Sequence, residues 1–181
     1  MRQRNSITYD LLRLPLFLQM FGLGAASMFV PAGYAAVADR HETSQAFFYA
    51  GLLGVIVFVL VGLAHAGRTP RQGALGPLLS LFSAFVFLPA VFAIPFVETL
   101  PTTRFYNGYI EMLSAFTTTG ATLFVDPARL DPALHLWRAQ VGWMGGLLMW
   151  VAAVAILAPL NLGGFEITAR AEPGRRETAL Y

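Results

Sequence analysis

The sequence predicts an all-α integral membrane protein with four transmembrane helices, one short re-entrant pore helix and an extended loop after that helix. Of its 181 residues, 56% are hydrophobic and only 12% are charged, and the mean hydropathy is +0.61. This balance is too apolar for a water-soluble domain of the same size. Four charge-free stretches are also long enough to cross a hydrocarbon core of roughly 30 Å, where only a helix satisfies its own backbone.

The four stretches divide the chain into three parts. In chain order they are residues 14–36, 46–64, 74–97 and 139–162. Residues 1–66 hold the two leading transmembrane helices, residues 67–168 hold the other two with the segment between them, and residues 169–181 form a polar tail. We expect the chain to be multi-pass, with both termini in the cytoplasm.

The arginines set this orientation, because cytoplasmic loops carry an excess of positive charge. All twelve basic residues are arginine. With a cytoplasmic amino terminus, that side holds eight of them: Arg2, Arg4, Arg13, Arg68, Arg71, Arg170, Arg175 and Arg176. The other four are spread over the outer loops and form no patch that could neutralise a phosphate backbone, so no nucleic-acid partner is expected. The chain has no cysteine, which excludes disulfides and thiolate metal sites.

The segment between the last two spans is unusual for a loop. Residues 105–116 have apolar side chains at helical spacing, and Thr117, Thr118, Thr119 and Gly120 follow at once. Twelve helical residues extend only about 18 Å, roughly half of a membrane. This pattern is typical of a re-entrant pore loop, although a polar loop or a helix-packing face would also contain threonines and glycine.

A pore loop of this kind can hold a cation without charged side chains. The carboxyl end of a helix carries about half a negative charge, which favours a cation beside it. The carbonyl oxygens of an extended segment can then replace the water around the ion, and Gly120 can adopt backbone angles closed to other residues. Thr117, Thr118, Thr119 and Gly120 are therefore the candidate ligands.

Three blocks of sequence resemble the Trk/Ktr/HKT superfamily of potassium transporters, in its TrkH-type branch. Residues 111–122 (EMLSAFTTTGAT) are similar to the first pore helix and filter, residues 136–146 to the start of the next helix, and residues 155–174 to its cytoplasmic exit. Ala115 departs from the family, which usually has glycine there. The resemblance covers residues 67–174 through these motifs and the first two spans through hydropathy alone.

This resemblance implies potassium uptake through a backbone-carbonyl selectivity filter in the bacterial inner membrane. Thr117 to Gly120 would form one quarter of that filter, with potassium at Thr118 and Thr119, and no cofactor is expected besides the transported ion. The implied partners are membrane lipid, the remaining pore repeats and a TrkA-type cytoplasmic regulatory subunit, in an oligomer. No enzymatic activity is expected, because no intramembrane pair of nucleophile and base is evident.

The family closes its pore with four repeats, whereas this chain carries one. We expect the sequence to be a fragment, with repeats on another chain or a fourfold assembly as the alternatives. The alternative function is that of a non-conducting truncated fragment or a membrane assembly subunit.

Three residues near the candidate filter are expected to support it: Glu111, Ser114 and Arg138. A buried carboxylate needs a partner, and Arg138 is the candidate for Glu111. The other reading of Glu111 is direct contact with the ion. Of the tryptophans, Trp137 is expected to anchor the chain at the membrane interface, and Trp143 and Trp150 to pack against other helices.

Overall fold

The computed structural model describes residues 14–65 and 75–154, and all regular secondary structure in these residues is helical. The expectations for the amino terminus, the tail 169–181 and the end of the fourth span lie outside these residues. The helices are α1 Leu16–Ser27, α2 Phe29–Val37, α3 His41–His65, α4 Leu75–Glu98, α5 Phe105–Phe116 and α6 Pro132–Ala152, with a 3₁₀ turn at Pro127–Arg129.

The first predicted span is divided into α1 and α2 by a turn at Met28. Pro31 causes this break, because a proline has no N–H to donate to the carbonyl four residues before it, here that of Ser27. The hydrogen bonds on either side continue, since Met28 N donates to Gly24 O and Ala32 N to Met28 O, both at 3.2 Å. The two helices therefore act together as one crossing of 22 residues, Leu16–Val37.

Three helical stretches in the described part of the chain are long and apolar enough to cross a membrane: Leu16–Val37, His41–His65 and Leu75–Glu98. The fourth predicted span corresponds to α6, which begins at Pro132 rather than at residue 139. It starts early because Asp131 accepts a hydrogen bond from Ala133 N at 2.9 Å and Pro132 occupies the first helical position. The described residues thus form helices alone, three of which are long and apolar enough to cross a membrane, and the number of four spans stays a prediction.

The core lies where α4, α5 and α6 pack together and against the leading helices, and it is rich in aromatic rings. Trp137 is fully buried there, its ring packs at 5.5 Å from that of Phe92, and its indole N–H donates to the Phe92 carbonyl at 3.0 Å. The expectation that Trp137 anchors an interface was therefore wrong, because its N–H finds a partner inside the protein. Trp143 and Trp150 are instead 66% and 76% exposed on α6.

Candidate functional site

The short helix α5 runs back along α4 and ends near the middle of it. The Tyr109 hydroxyl donates to the Val86 carbonyl at 3.3 Å, and the Phe116 ring lies 5.4 Å from Phe85 and 5.8 Å from Phe92. These partners are 6 to 13 residues before Glu98, where α4 ends. At 1.5 Å per residue, the end of α5 therefore lies about 9–20 Å along α4 from that end.

After α5 the chain returns to the end of the bundle from which it came. The Ser114 hydroxyl donates to the Ala121 carbonyl at 2.7 Å, and Leu123 N donates to Glu111 Oε2 at 3.0 Å, so the returning chain runs beside the helix. Phe124 then packs against Phe96, two residues before the end of α4, with ring centroids 5.9 Å apart. The segment between α4 and α6 is thus an excursion that reaches about half the length of α4.

The deepest part of this excursion is a tight turn that ends α5. Thr119 N donates to Ser114 O and Thr118 N to Ala115 O, both at 3.0 Å, which is the Schellman pattern for the end of a helix. Thr117 has φ −79° and ψ 3°, and Thr118 has φ 57°. The expectation of extended backbone was therefore wrong at Thr117 and Thr118, because the last carbonyls of the helix need donors and the turn supplies them.

Positive φ angles at two of the four candidate ligands give the turn its shape. Gly120 has φ 75°, which agrees with the expectation that this glycine adopts angles closed to other residues. Thr118 adopts the same left-handed region although its side chain is β-branched, which is a rare and strained combination. The turn is therefore held by its surroundings rather than by the preferences of its own residues.

The four candidate ligand residues, Thr117 to Gly120, are all exposed to solvent in this chain. The hydroxyls of Thr117 and Thr119 lie 2.9 Å apart, and that of Thr117 also donates to Leu113 O at 2.8 Å. The turn borders an open pocket of about 350 Å³, whose lining residues are Ala115, Thr118, Gly120, His135, Arg138, Ala139 and Gly142. The oxygen atoms available at this turn are hydroxyls and backbone carbonyls.

Close to the turn, a largely buried ion pair joins α5 to α6. Glu111 is fully buried, and its Oε1 is 2.7 Å from Nη2 of Arg138, which is 18% exposed. The contact is close, but its angles are not those of a hydrogen bond. The pairing expected from the sequence is thus present, and the second carboxylate oxygen of Glu111 holds the returning chain at Leu123. That Glu111, Ser114 and Arg138 support a filter stays a prediction.

The glycines of α6 at 142, 145 and 146 predict, as small residues, that a neighbouring helix can approach closely, and the structure shows this approach at Gly145. A Cβ at this position would overlap the carbonyl of Phe116, so α6 lies directly against the end of α5. A Cβ at Gly142 would meet Ala115 O at 3.4 Å. The signal in the sequence was the spacing of the two glycines by three residues, which places them on one face of a helix.

No group of three or more His, Asp or Glu side chains is placed to hold a metal ion within residues 14–65 and 75–154. Arg138 lines the same pocket as Thr118 and Gly120, and its charge is compensated by that of Glu111. The remaining electrostatic feature is the carboxyl end of α5, whose carbonyl dipoles favour positive charge.

Several curated proteins are similar to this chain. It is 33% identical over 132 residues to the Trk system potassium uptake protein TrkH of Salmonella typhimurium, which covers 72% of this chain and 26% of the relative. It is 32% identical to TrkH of Escherichia coli over 157 residues, and this match covers 84% of this chain and 32% of the relative. It is 34% identical to TrkG of Escherichia coli over 98 residues, and this match covers 54% of this chain and 18% of the relative. The matched part thus spans about a third or less of these relatives. No family model and no solved structure matches the chain.

Proposed function

Because this chain belongs to the TrkH-type branch of the Trk family of potassium uptake proteins, we propose that it contributes one of four pore repeats to a potassium-uptake pathway. The observation that carries the proposal is the exposed turn 117–120, held at mid-length of α4 by the end of α5. Polar backbone at such a depth in a membrane is tolerated where it is covered by protein or faces water. A pore provides the water.

The proposed ion ligands are the main-chain oxygens of Thr117, Thr118, Thr119 and Gly120, with potassium at Thr118 and Thr119. The carboxyl end of α5 favours a cation at this place, and the paired charges of Glu111 and Arg138 add no net charge behind it. Selection would then depend on the number and spacing of carbonyl dipoles rather than on a fixed carboxylate. A strained but well-supported turn suits this task, since the ligands must keep their positions when an ion leaves.

The remaining assignments of the proposal follow from the family and from the arginine pattern. The chain lies in the bacterial inner membrane with both termini in the cytoplasm, its transported ion is potassium, and it has no enzymatic activity. Its partners are the other pore repeats, membrane lipid and a TrkA-type regulatory subunit. The arrangement of eight arginines on the cytoplasmic side supports the orientation.

Uptake of potassium by a bacterial strain that lacks its own uptake systems tests the proposal. The chain is expressed alone and together with the part of Escherichia coli TrkH that the match leaves out, which would supply the further pore repeats and is also expressed alone as a control, and ⁸⁶Rb⁺ uptake is measured at equal membrane protein. We expect Gly120→Ser to abolish uptake, because serine is strained at φ 75°. Gly33→Ser is the matched control, since a Cβ at Gly33 meets nothing within 4 Å.

The outcomes separate the candidate functions. Rescue by the chain with further repeats supports a pore subunit, and rescue by the chain alone supports a fourfold assembly of identical chains. Absence of uptake in both combinations, with the protein present in the membrane, would contradict the proposal and favour a non-conducting assembly subunit. Uptake that survives Gly120→Ser would contradict the assignment of the filter.

A further inference from the structure

Buried polar side chains are few in residues 14–65 and 75–154. Among the described residues, three polar or charged residues are buried: Thr43, Glu111 and Ser114. Glu111 and Ser114 lie behind the turn 117–120 and hold the chain that returns from it. Thr43 lies elsewhere, in the first turn of α3, and belongs to the leading helices. A polar group in such a position costs free energy unless it has a hydrogen-bond partner, so its partner indicates why it is there.

The partner of Thr43 is Asp131, which is 88 residues away in the sequence. The Thr43 hydroxyl donates to Asp131 Oδ2 at 3.0 Å. The other carboxylate oxygen, Oδ1, accepts from Ala133 N at 2.9 Å and so caps α6. One carboxylate therefore connects the start of a leading helix to the start of the helix that follows the candidate filter.

From Asp131, a short series of contacts leads to the candidate filter. Two turns along α6, or about 10 Å, Arg138 pairs with Glu111, whose other oxygen accepts from Leu123 N. His135, between them, has its Nε2 at 2.8 Å from Pro127 O, which joins the loop after the filter to the same helix face. A shift of the first turn of α6 would therefore move the groups that hold the returning chain.

We propose that Asp131 is a positioning residue. Its hydrogen bond to Thr43 lets the leading helices hold the first turn of α6 in place. The leading helices thereby gain a role beyond crossing the membrane: they fix α6 and, through Arg138 and Glu111, the chain at Leu123. This proposal rests on the proposed function only in taking residues 117–120 as a filter. The mechanical link itself depends on the contacts alone.

Hydrogen exchange of the chain in lipid nanodiscs tests this link without any ion flow. The probe is the protection of the Leu123 amide, read from peptides that cover residues 117–126. Thr43→Val removes the hydroxyl and keeps the shape of the side chain. We expect it to speed exchange of this peptide by about fivefold, as loss of roughly one hydrogen bond would. Peptides from α1 and the middle of α4 should exchange as in the unchanged protein.

The neighbouring residue provides the matched control. The Ser44 hydroxyl donates to Ala32 O at 3.0 Å, a contact inside the leading helices, so Ser44→Ala removes one hydrogen bond without touching the pore repeat. It should leave the 117–126 peptide unchanged. Thr43→Ser and Asp131→Asn should also behave as the unchanged protein, because both side chains can keep the contact, whereas Asp131→Ala should match or exceed Thr43→Val.

Two results would overturn the proposal: equal exchange of the 117–126 peptide in Thr43→Val and Ser44→Ala, or a rise in exchange across all helices, which would indicate a general loss of stability. Neither depends on transport. If the local effect is present but the chain supports no potassium uptake, either alone or with further repeats, the proposed function is contradicted and the link stays intact. If the chain supports potassium uptake but the local effect is absent, the proposed function stands and the link from Thr43 to Leu123 is contradicted.

Discussion

The carbonyl of Phe116, the last residue of α5, packs against Gly145 of α6 so closely that a Cβ at 145 would overlap both the carbonyl carbon and the oxygen. At the adjacent Gly146 a Cβ would meet only Thr118 Cγ2, at an ordinary 3.9 Å. The end of the short helix is therefore supported by the backbone of its neighbour. No side chain between them can adjust to a change at 145.

Gly145→Ala should destabilise the protein by about 1–3 kcal/mol, the usual range for an extra methyl group in a close-packed site. The conflict is with backbone atoms, which cannot rotate away, so the turn 117–120 should also move. Thermal unfolding in detergent measures the first effect. Gly146→Ala is the control and should unfold close to the unchanged protein; equal destabilisation by the two variants would contradict this account of the contact.

Glu111→Gln should lower stability because it leaves the Arg138 guanidinium without its counter-charge. Removal of one partner of a fully buried pair costs about 3–5 kcal/mol, and the 18% exposure of Arg138 reduces that figure. The glutamine oxygen can still accept from Leu123 N, so the loss reports on charge rather than on that hydrogen bond. Urea or thermal unfolding of the purified protein provides the measurement.

The double variant Glu111→Gln/Arg138→Gln separates charge from packing. If the unpaired guanidinium is the cause, the double variant should be more stable than Glu111→Gln alone, since neither charge remains. If the losses in unfolding free energy of the two single variants add up in the double variant, each side chain contributes through its packing, and the electrostatic explanation is wrong.

Thr118→Gly should be less costly than Thr119→Gly, although both remove a threonine side chain from the same turn. Thr118 has φ 57°, where a side chain is strained by about 1–2 kcal/mol and glycine is not, whereas Thr119 has no such angle. We expect the two unfolding free energies to differ by about that amount in favour of Thr118→Gly. The comparison cancels the extra flexibility of glycine in the unfolded chain, and an equal loss in both variants would show that the turn stores no strain.

The sequence predicted the helices well where apolar length decides the structure and less well where single hydrogen bonds decide it. The span 74–97 agrees with α4 to within one residue at each end, because lipid requires a helix there. The start of α6 at Pro132 depends instead on the Asp131 side chain, which hydropathy does not register. Similarly, Trp137 could not be distinguished from an interface residue until Phe92 was known to offer its carbonyl.

The candidate site shows the same division. Glu111 and Arg138 could be paired in advance, because a buried carboxylate needs a cation and few were near. The turned backbone at Thr117 and Thr118 could not be predicted, since threonine favours extended strands and rarely adopts positive φ. The contact of Thr43 with Asp131 was also missed, as it joins two helices that lie 88 residues apart in sequence.

Ser114→Ala should destabilise the returning chain more than Thr117→Val does, although each change removes one hydroxyl group. Ser114 is 9% exposed, and its hydroxyl bridges two segments by donating to Ala121 O at 2.7 Å, so its loss removes this hydrogen bond at a cost of about 0.5–1.5 kcal/mol. The Thr117 hydroxyl is exposed and donates to Leu113 O in its own helix, where water can replace it. Unfolding free energies and amide exchange of residues 119–124 measure the difference. If Thr117→Val proves equally damaging, the Ser114 bridge is not what holds the return from the turn, and the support assigned to it must come from Glu111 alone.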